Sequence, residues 1–322
     1  MPYCSAFKPV GPPRHWQKLW NIVNLRPRLE HNMEFFDKPT HHAGGEAQLV
    51  ELDPDHPGFR DQEYRDRRNA IAQLALHFQT GARIPLADYS PEEHGVWQTI
   101  AQKLYPIHEQ KVCVEILELQ KIVALPFDEI PQLRDVSVHL QRSAGFRMEP
   151  VAGLISPRIF LRYLGRRVFL STQYIRHHSR PWYTPEPDII HELVGHAASL
   201  AHPGIAETNR LLGMACEVAT ETEMLRLARV YWYTLEFGVV QEGGQFKAFG
   251  AGLLSSIGEL ERFDTDATLL DWNLEKMAQT PYDPTDYQSR LFVAPSFTRM
   301  LAELCAWLRT GAWRDQRVSA EV

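Results

Sequence analysis

The sequence predicts a mainly α fold, α+β with small short-stranded sheets, and three observations carry that prediction. Long stretches repeat their apolar residues at helical spacing and open on helix-start signals. Extended candidates are short and few, near 168 to 171, 238 to 241 and 246 to 249. No GxGxxG or GxxxxGKS/T follows a strand candidate, so neither a Rossmann site nor a P-loop is expected.

Residues 1 to 50 hold six prolines, the run THHAGG and one short amphipathic piece at Trp16, Leu19, Trp20 and Val23. They predict a partly ordered extension, with His41 and His42 in a solvated loop. A single domain is expected over 51 to 322. From Arg60 a helical face runs through Tyr64, Ile71, Leu74, Ala75 and Phe78 and stops at the Gly81 to Pro85 break. Ser90-Pro91-Glu92-Glu93 supplies an N-cap, a proline at the first helical position and a capping-box glutamate, followed by Val96, Trp97, Ile100 and Leu104. Further helices are expected over Lys111 to Leu125, Leu133 to Gln141, from Ser156-Pro157 through Leu164, and over His191 to Leu200, Ala206 to Ala219, Thr222 to Phe237, Leu269 to Ala278 and Ser296 to Leu308.

A hydrophobic content of 44% over 322 residues is enough for a sizeable core. The net charge of −6 and the lack of any basic cluster beyond Arg67-Arg68 or Arg166-Arg167 point away from nucleic acid and anionic membranes. Cys4, Cys113, Cys216 and Cys305 are widely spaced without CxxC, as expected of free thiols in a reducing cytoplasm. No apolar run approaches the roughly 20 residues of a membrane span.

The chemistry concentrates in YTPEPDIIHELVGH, Tyr183 to His196, read together with Glu236 in VYWYTLEFG. Two imidazoles and a carboxylate form a pattern able to hold a metal. His191 and His196 stand five apart, which leaves them about 140° apart around an unbroken α-helix, off any common face. Zinc sites of the HExxH type use i and i+4, so this spacing weakens a protease reading. It works where His191 sits at a helix start, near 188 to 191 after Pro185 and Pro187, and points back to a centre that His196 reaches from the next turn. Glu236 lies in an apolar and aromatic run, where a buried carboxylate is costly unless paired or metal-bound. On these residues alone a structural histidine pair, a surface Glu236 and a zinc hydrolase with Glu192 as base all stay open.

YTPEPDIIHELVGH, with TQYIRHHS before it and VYWYTLEFG and KAFGAGLLSSIGEL after it, closely resembles the catalytic domain of the pterin-dependent aromatic amino acid hydroxylases. ELDPDHPGFRDQEYRDRR, IPQLRDVSVHLQ and FRMEPVAGLISPRIFL extend the resemblance from about residue 50 to about residue 310. It implies a helical basket around a mononuclear iron site, ligated by His191, His196 and Glu236, in a single catalytic domain. Fe(II), a tetrahydropterin such as tetrahydrobiopterin, and O2 as co-substrate are the implied requirements. Arg176 matches the residue that grips the substrate carboxylate, Thr184 lies at the same end, and Trp232 and Phe237 match the lining of the aromatic pocket. Phe160 matches the residue that stacks on the pterin, Gly153, Leu154 and Ile155 the loop that hydrogen-bonds it, and Glu192 an acid facing pterin and metal. Asp188 and Ser255 match positions that orient the ligand imidazoles, Ser255 also bordering the substrate.

Three features depart from the family pattern. Leu170 stands where a polar His or Gln is usual near the pterin, GHAASL lacks the usual proline, and TPYDPTDYQ places Pro284 where tyrosine-specific members carry an Asp. Trp232 agrees with the phenylalanine and tyrosine members. The resemblance therefore implies a cytoplasmic monooxygenase that converts L-phenylalanine to tyrosine, with tryptophan, tyrosine or another ring position as alternatives and a zinc hydrolase or an amino-acid-binding protein as distant ones. It also implies a bare catalytic core, a monomer or weak dimer, without the regulatory domain and tetramerisation helix of animal members.

Overall fold

The computed structural model describes residues 52, 54–153, 155–182, 184, 186–284 and 286–314, so the extension expected over 1 to 50, with Trp16 and His41, lies outside the described residues. Capping sets the first helices. Helix α1 (Gln62–Leu76) starts where Asp61 accepts the Tyr64 N–H. Helix α2 (Pro91–Lys111) starts in the predicted box, with Ser90 Oγ accepting the Glu93 N–H at 3.2 Å and the Glu93 carboxylate accepting the Ser90 N–H at 2.6 Å. It runs on through Pro106, so the break falls at Val112 and Cys113 and α3 (Val114–Val123) is shorter than the helix predicted from Lys111. Helix α4 (Leu133–Ala144) ends on Gly145 at φ 70°.

Strand β1 (Arg147–Pro150), helix α5 (Pro157–Gly165) and strand β2 (Val168–Ser171) form a unit in which β1 and β2 pair in parallel. Ser156 caps α5 by accepting the Ile159 N–H. A helical stretch then begins at Ile189 and Ile190, widens into a π-turn, His191–Ala197, and passes into the short α6 (Ala198–Leu200). Helices α7 (Pro203–Val218) and α8 (Glu221–Tyr231) follow, and α8 also ends in a π-turn, Trp232–Glu236.

A four-stranded sheet closes the far side. Strands β3 (Val239–Glu242) and β4 (Gln245–Ala248) form an antiparallel hairpin around Gly243 and Gly244, whose φ values of 58° and 79° suit a two-residue turn. Short helices α9 (Ala251–Ser255), α10 (Ile257–Leu260) and α11 (Phe263–Asp266) lead to β5 (Thr268–Asp271), α12 (Leu274–Gln279), β6 (Arg290–Ala294) and α13 (Phe297–Thr310). The strand order is β4-β3-β6-β5, with β6 parallel to both neighbours.

The helix predicted over Leu269 to Ala278 is corrected here. Leu269 and Leu270 pair with Leu291 and Phe292 of β6, and helix returns only at Leu274 behind the Asn273 cap. One buried cluster links these elements from Ile71 in α1 to Trp313 after α13. No helix among the described residues is long and apolar enough to cross a membrane.

Candidate metal centre

The two π-turns position the three expected ligands. A π-turn closes its hydrogen bond on the fifth residue rather than the fourth, so residues five apart come to lie one above the other. That winding resolves the spacing that an unbroken α-helix cannot serve: His191 Nε2 and His196 Nε2 approach to 3.1 Å. Glu236, last residue of the second π-turn, brings Oε1 to 3.1 Å from His196 Nε2 and Oε2 to 3.5 Å from His191 Nε2. The three donors lie within 4.8 Å of one another, a set able to hold a metal ion.

Hydrogen bonding fixes which lone pairs face that point. Ser255 Oγ donates to Ala251 O at 2.9 Å, so it can only accept from His191 Nδ1, 3.0 Å away. The His191 proton then sits on Nδ1 and the Nε2 lone pair points inward. Burial pushes the His191 imidazole down to about 4, despite the opposing pull of Glu236. Burial would also favour a neutral Glu236, but the His196 contact outweighs it, and the buried Tyr231 phenol adds to it, holding the carboxylate at about 2. Two neutral nitrogens and one anionic oxygen around a point suit a divalent cation, which would replace the proton shared by His196 and Glu236.

Around this centre Arg176 and Asp188 form a buried fork, with Nε to Oδ2 at 2.8 Å and Nη2 to Oδ1 at 2.7 Å. Asp188 also accepts the His191 backbone N–H at 3.2 Å and touches neither ligand imidazole. Its carboxylate is taken up by Arg176 and by the start of the π-turn, so it bears on His191 through the backbone, while Ser255 is the partner of the ring itself. Arg176 Nη1 donates to Pro181 O at 3.3 Å, which leaves one N–H on Nη1 and one on Nη2 without a partner among the described residues. That outer edge matches a carboxylate. Thr184 is half-buried, its hydroxyl donating to Glu186 O at 2.9 Å.

The aromatic side is equally ordered. Trp232 packs on Phe237 with centroids 4.6 Å apart, stacks on Tyr282 at 4.2 Å and 9°, and donates its indole N–H to Gln288 Oε1 at 2.8 Å. On the other side, Phe160 meets Phe169 edge-on at 5.3 Å, and Phe169 lies 4.6 Å from His196. Gly153 and Ile155 are half-buried in the loop between β1 and α5, while Leu154 lies outside the described residues. Glu192 turns its carboxylate to Thr172, accepting from N and Oγ1 at 3.1 Å each, and burial pushes its carboxyl up to about 7. Leu170 is buried in β2, and Pro284 sits in the loop carrying Tyr282 and Gln288.

Sequence reasoning passed over Tyr231, Tyr282, Gln288 and Thr172. Tyr231 stands five before Glu236, the same spacing as the histidine pair. The others approach from distant segments and leave no local signal.

The family model described as biopterin-dependent aromatic amino acid hydroxylase matches residues 32–317. Tyrosine 3-monooxygenase of Schistosoma mansoni is 43% identical over 265 residues, 81% of this chain and 57% of that protein. Phenylalanine-4-hydroxylase of Rattus norvegicus is 45% identical over 254 residues, 77% of this chain and 56% of that protein. The chain thus spans a little over half the length of these curated relatives. Phenylalanine hydroxylase of Chromobacterium violaceum, solved with iron(III) and 7,8-dihydrobiopterin, superposes with a TM-score of 0.68 at 28% identity, covering 76% of this chain and 90% of that one.

Proposed function

The chain belongs to the biopterin-dependent aromatic amino acid hydroxylases, and from that premise we propose that it hydroxylates the ring of a free aromatic amino acid, L-phenylalanine to tyrosine being the best-supported reaction. The observation that carries the choice is Trp232, wedged between Phe237 and Tyr282 with its N–H tied to Gln288. A fixed indole occupies volume that an indole substrate would need. Tyrosine is the second reading, supported by the similarity to a tyrosine 3-monooxygenase.

His191, His196 and Glu236 would hold Fe(II), and the Phe160 side of the cleft would hold a tetrahydropterin. Bound together, these groups supply the activation of O2 and the oxygen transfer that side chains cannot. The outer edge of Arg176 grips the substrate carboxylate, and Asp188 keeps that guanidinium from turning. Trp232, Phe237 and Tyr282 would orient the substrate ring and exclude water from it. Glu192, held by Thr172, can keep a proton on its carboxyl near neutral pH at the cleft wall. The net charge of −6 is in keeping with a cytoplasmic enzyme acting on a small molecule without nucleic acid or membrane.

Purified protein given Fe(II), a tetrahydropterin and each aromatic amino acid in turn tests the proposal. Tyrosine from phenylalanine, identified by mass and NMR, is the expected product. Turnover with Zn2+ and no pterin, or product from tryptophan alone, would overturn it.

A further inference from the structure

A second cluster of metal-type donors shares no residue with the His191, His196 and Glu236 centre. Asp61, His177 and His178 bring one ligand atom each to within 4.8 Å of one another. Each of the first two is held in place. Asp61 is the N-cap of α1, with Oδ1 accepting the Tyr64 N–H at 3.0 Å, which leaves Oδ2 facing His177 Nε2 at 3.2 Å. His177 is buried, its ring edge-on to Tyr64 at 4.9 Å, with Nδ1 2.8 Å from Ser179 Oγ. His178 packs its ring 4.2 Å from that of His177. Its side chain is 47% exposed, and its Nδ1 stands 3.1 Å from Glu92 Oε1. A surface cleft of about 330 Å³, lined by Glu92, Gly95, Thr99, His178 and Pro181 among others, opens beside it and supplies an entry path.

We propose that Asp61, His177 and His178 form a second, peripheral site for a borderline divalent cation of the Zn2+ type. Two imidazole nitrogens and one carboxylate oxygen match the ligands such ions take, and water or Glu92 completes the coordination. His177 carries the second partner that ligating imidazoles need. In the metal-free protein Nδ1 accepts the Ser179 N–H at 3.2 Å and Nε2–H is given to Asp61. On loading, the ring moves its proton to Nδ1, donates it to Ser179 Oγ and turns the Nε2 lone pair to the ion. The arrangement repeats, with different residues, the His191 and Ser255 pairing of the catalytic centre. Asp61 and Glu92 provide the anionic charge that makes a +2 ion welcome at a partly exposed position.

Equilibrium dialysis of the full chain against Zn2+, with metal counted per chain, is the test. Wild type should bind one ion more than either His178→Ala or Asp61→Asn, whose amide keeps the helix cap. His191→Ala should lose the catalytic-site ion and keep the peripheral one, so failure of this proposal is distinguishable from failure of the hydroxylase reading. Equal zinc content in wild type, His178→Ala and Asp61→Asn would overturn the site.

Discussion

Trp232 concentrates the substrate question in one side chain. Its indole is held by two aromatic faces and one hydrogen bond to Gln288 Oε1, so it is fixed in place rather than free to swing aside. Trp232→Phe should shift the kcat/KM ratio from phenylalanine toward tryptophan by roughly 10- to 200-fold, the usual range for such a change in an apolar pocket. A lower melting temperature with an unchanged ratio would reduce Trp232 to ordinary packing. At this scale the sequence was informative where chemistry demanded rare residues. His191, His196 and Glu236 stood out as two imidazoles and a carboxylate in an apolar setting, and the structure gathers them. Asp188 read less well, because a carboxylate beside a ligand histidine can serve either the ring or the backbone, and only the fold sets Arg176 against it.

The π-turns are the elements that build the centre, and they explain what helix periodicity could not foretell. Read with 3.6 residues per turn, a five-residue spacing looks like a fault; the extra residue per turn removes it. The first π-turn packs tightly on α9: a Cβ on Gly195 would fall 2.7 Å from Ala251 O. Gly195→Ala should therefore push α9 and Ser255 away from His191, cost about 1 to 3 kcal/mol of stability and lower iron retention. Normal metal content and melting would show that the contact yields freely. The loop after α12 is anchored through Glu259, whose Oε1 accepts the Gln288 N–H at 2.7 Å and whose carboxyl burial raises to about 7. Because the folded carboxyl holds its proton more tightly than the unfolded one, this group's stabilising contribution is present below pH 4.5 and is lost as pH rises to about 7. Glu259→Gln keeps an acceptor and no charge, so its melting temperature should gain on that of wild type between pH 5 and pH 8. A constant difference would mean that Glu259 titrates normally. Helix starts such as Ser90 and Ser156 were legible because their caps are local; β1, β5 and β6 were not, since each is a strand only by virtue of a partner many residues away.

Across the whole molecule, a buried ion pair ties α1 to the segment between β2 and the first π-turn, the segment that also carries Arg176. Arg68 in α1 meets Glu186, with His56 Nε2 3.6 Å from the same carboxylate, and the guanidinium lies 3.8 Å over the Tyr174 ring. Removing one partner leaves a charge buried without compensation, so Arg68→Met should cost about 3 to 5 kcal/mol in urea unfolding. The double variant Arg68→Met with Glu186→Leu should recover much of that loss, and a double variant as unstable as the single one would contradict the pairing. The sheet order has a consequence of another kind. Strand β6 arrives last in the chain yet lies between β3 and β5, so until it inserts, both present open edges to any passing strand. The residues just before it, Tyr282 and Gln288, complete the packing and hydrogen bonding of Trp232. Insertion of β6 therefore does two things at once: it closes both open edges against exchange with a foreign strand and it brings the segment that packs on Trp232 into place.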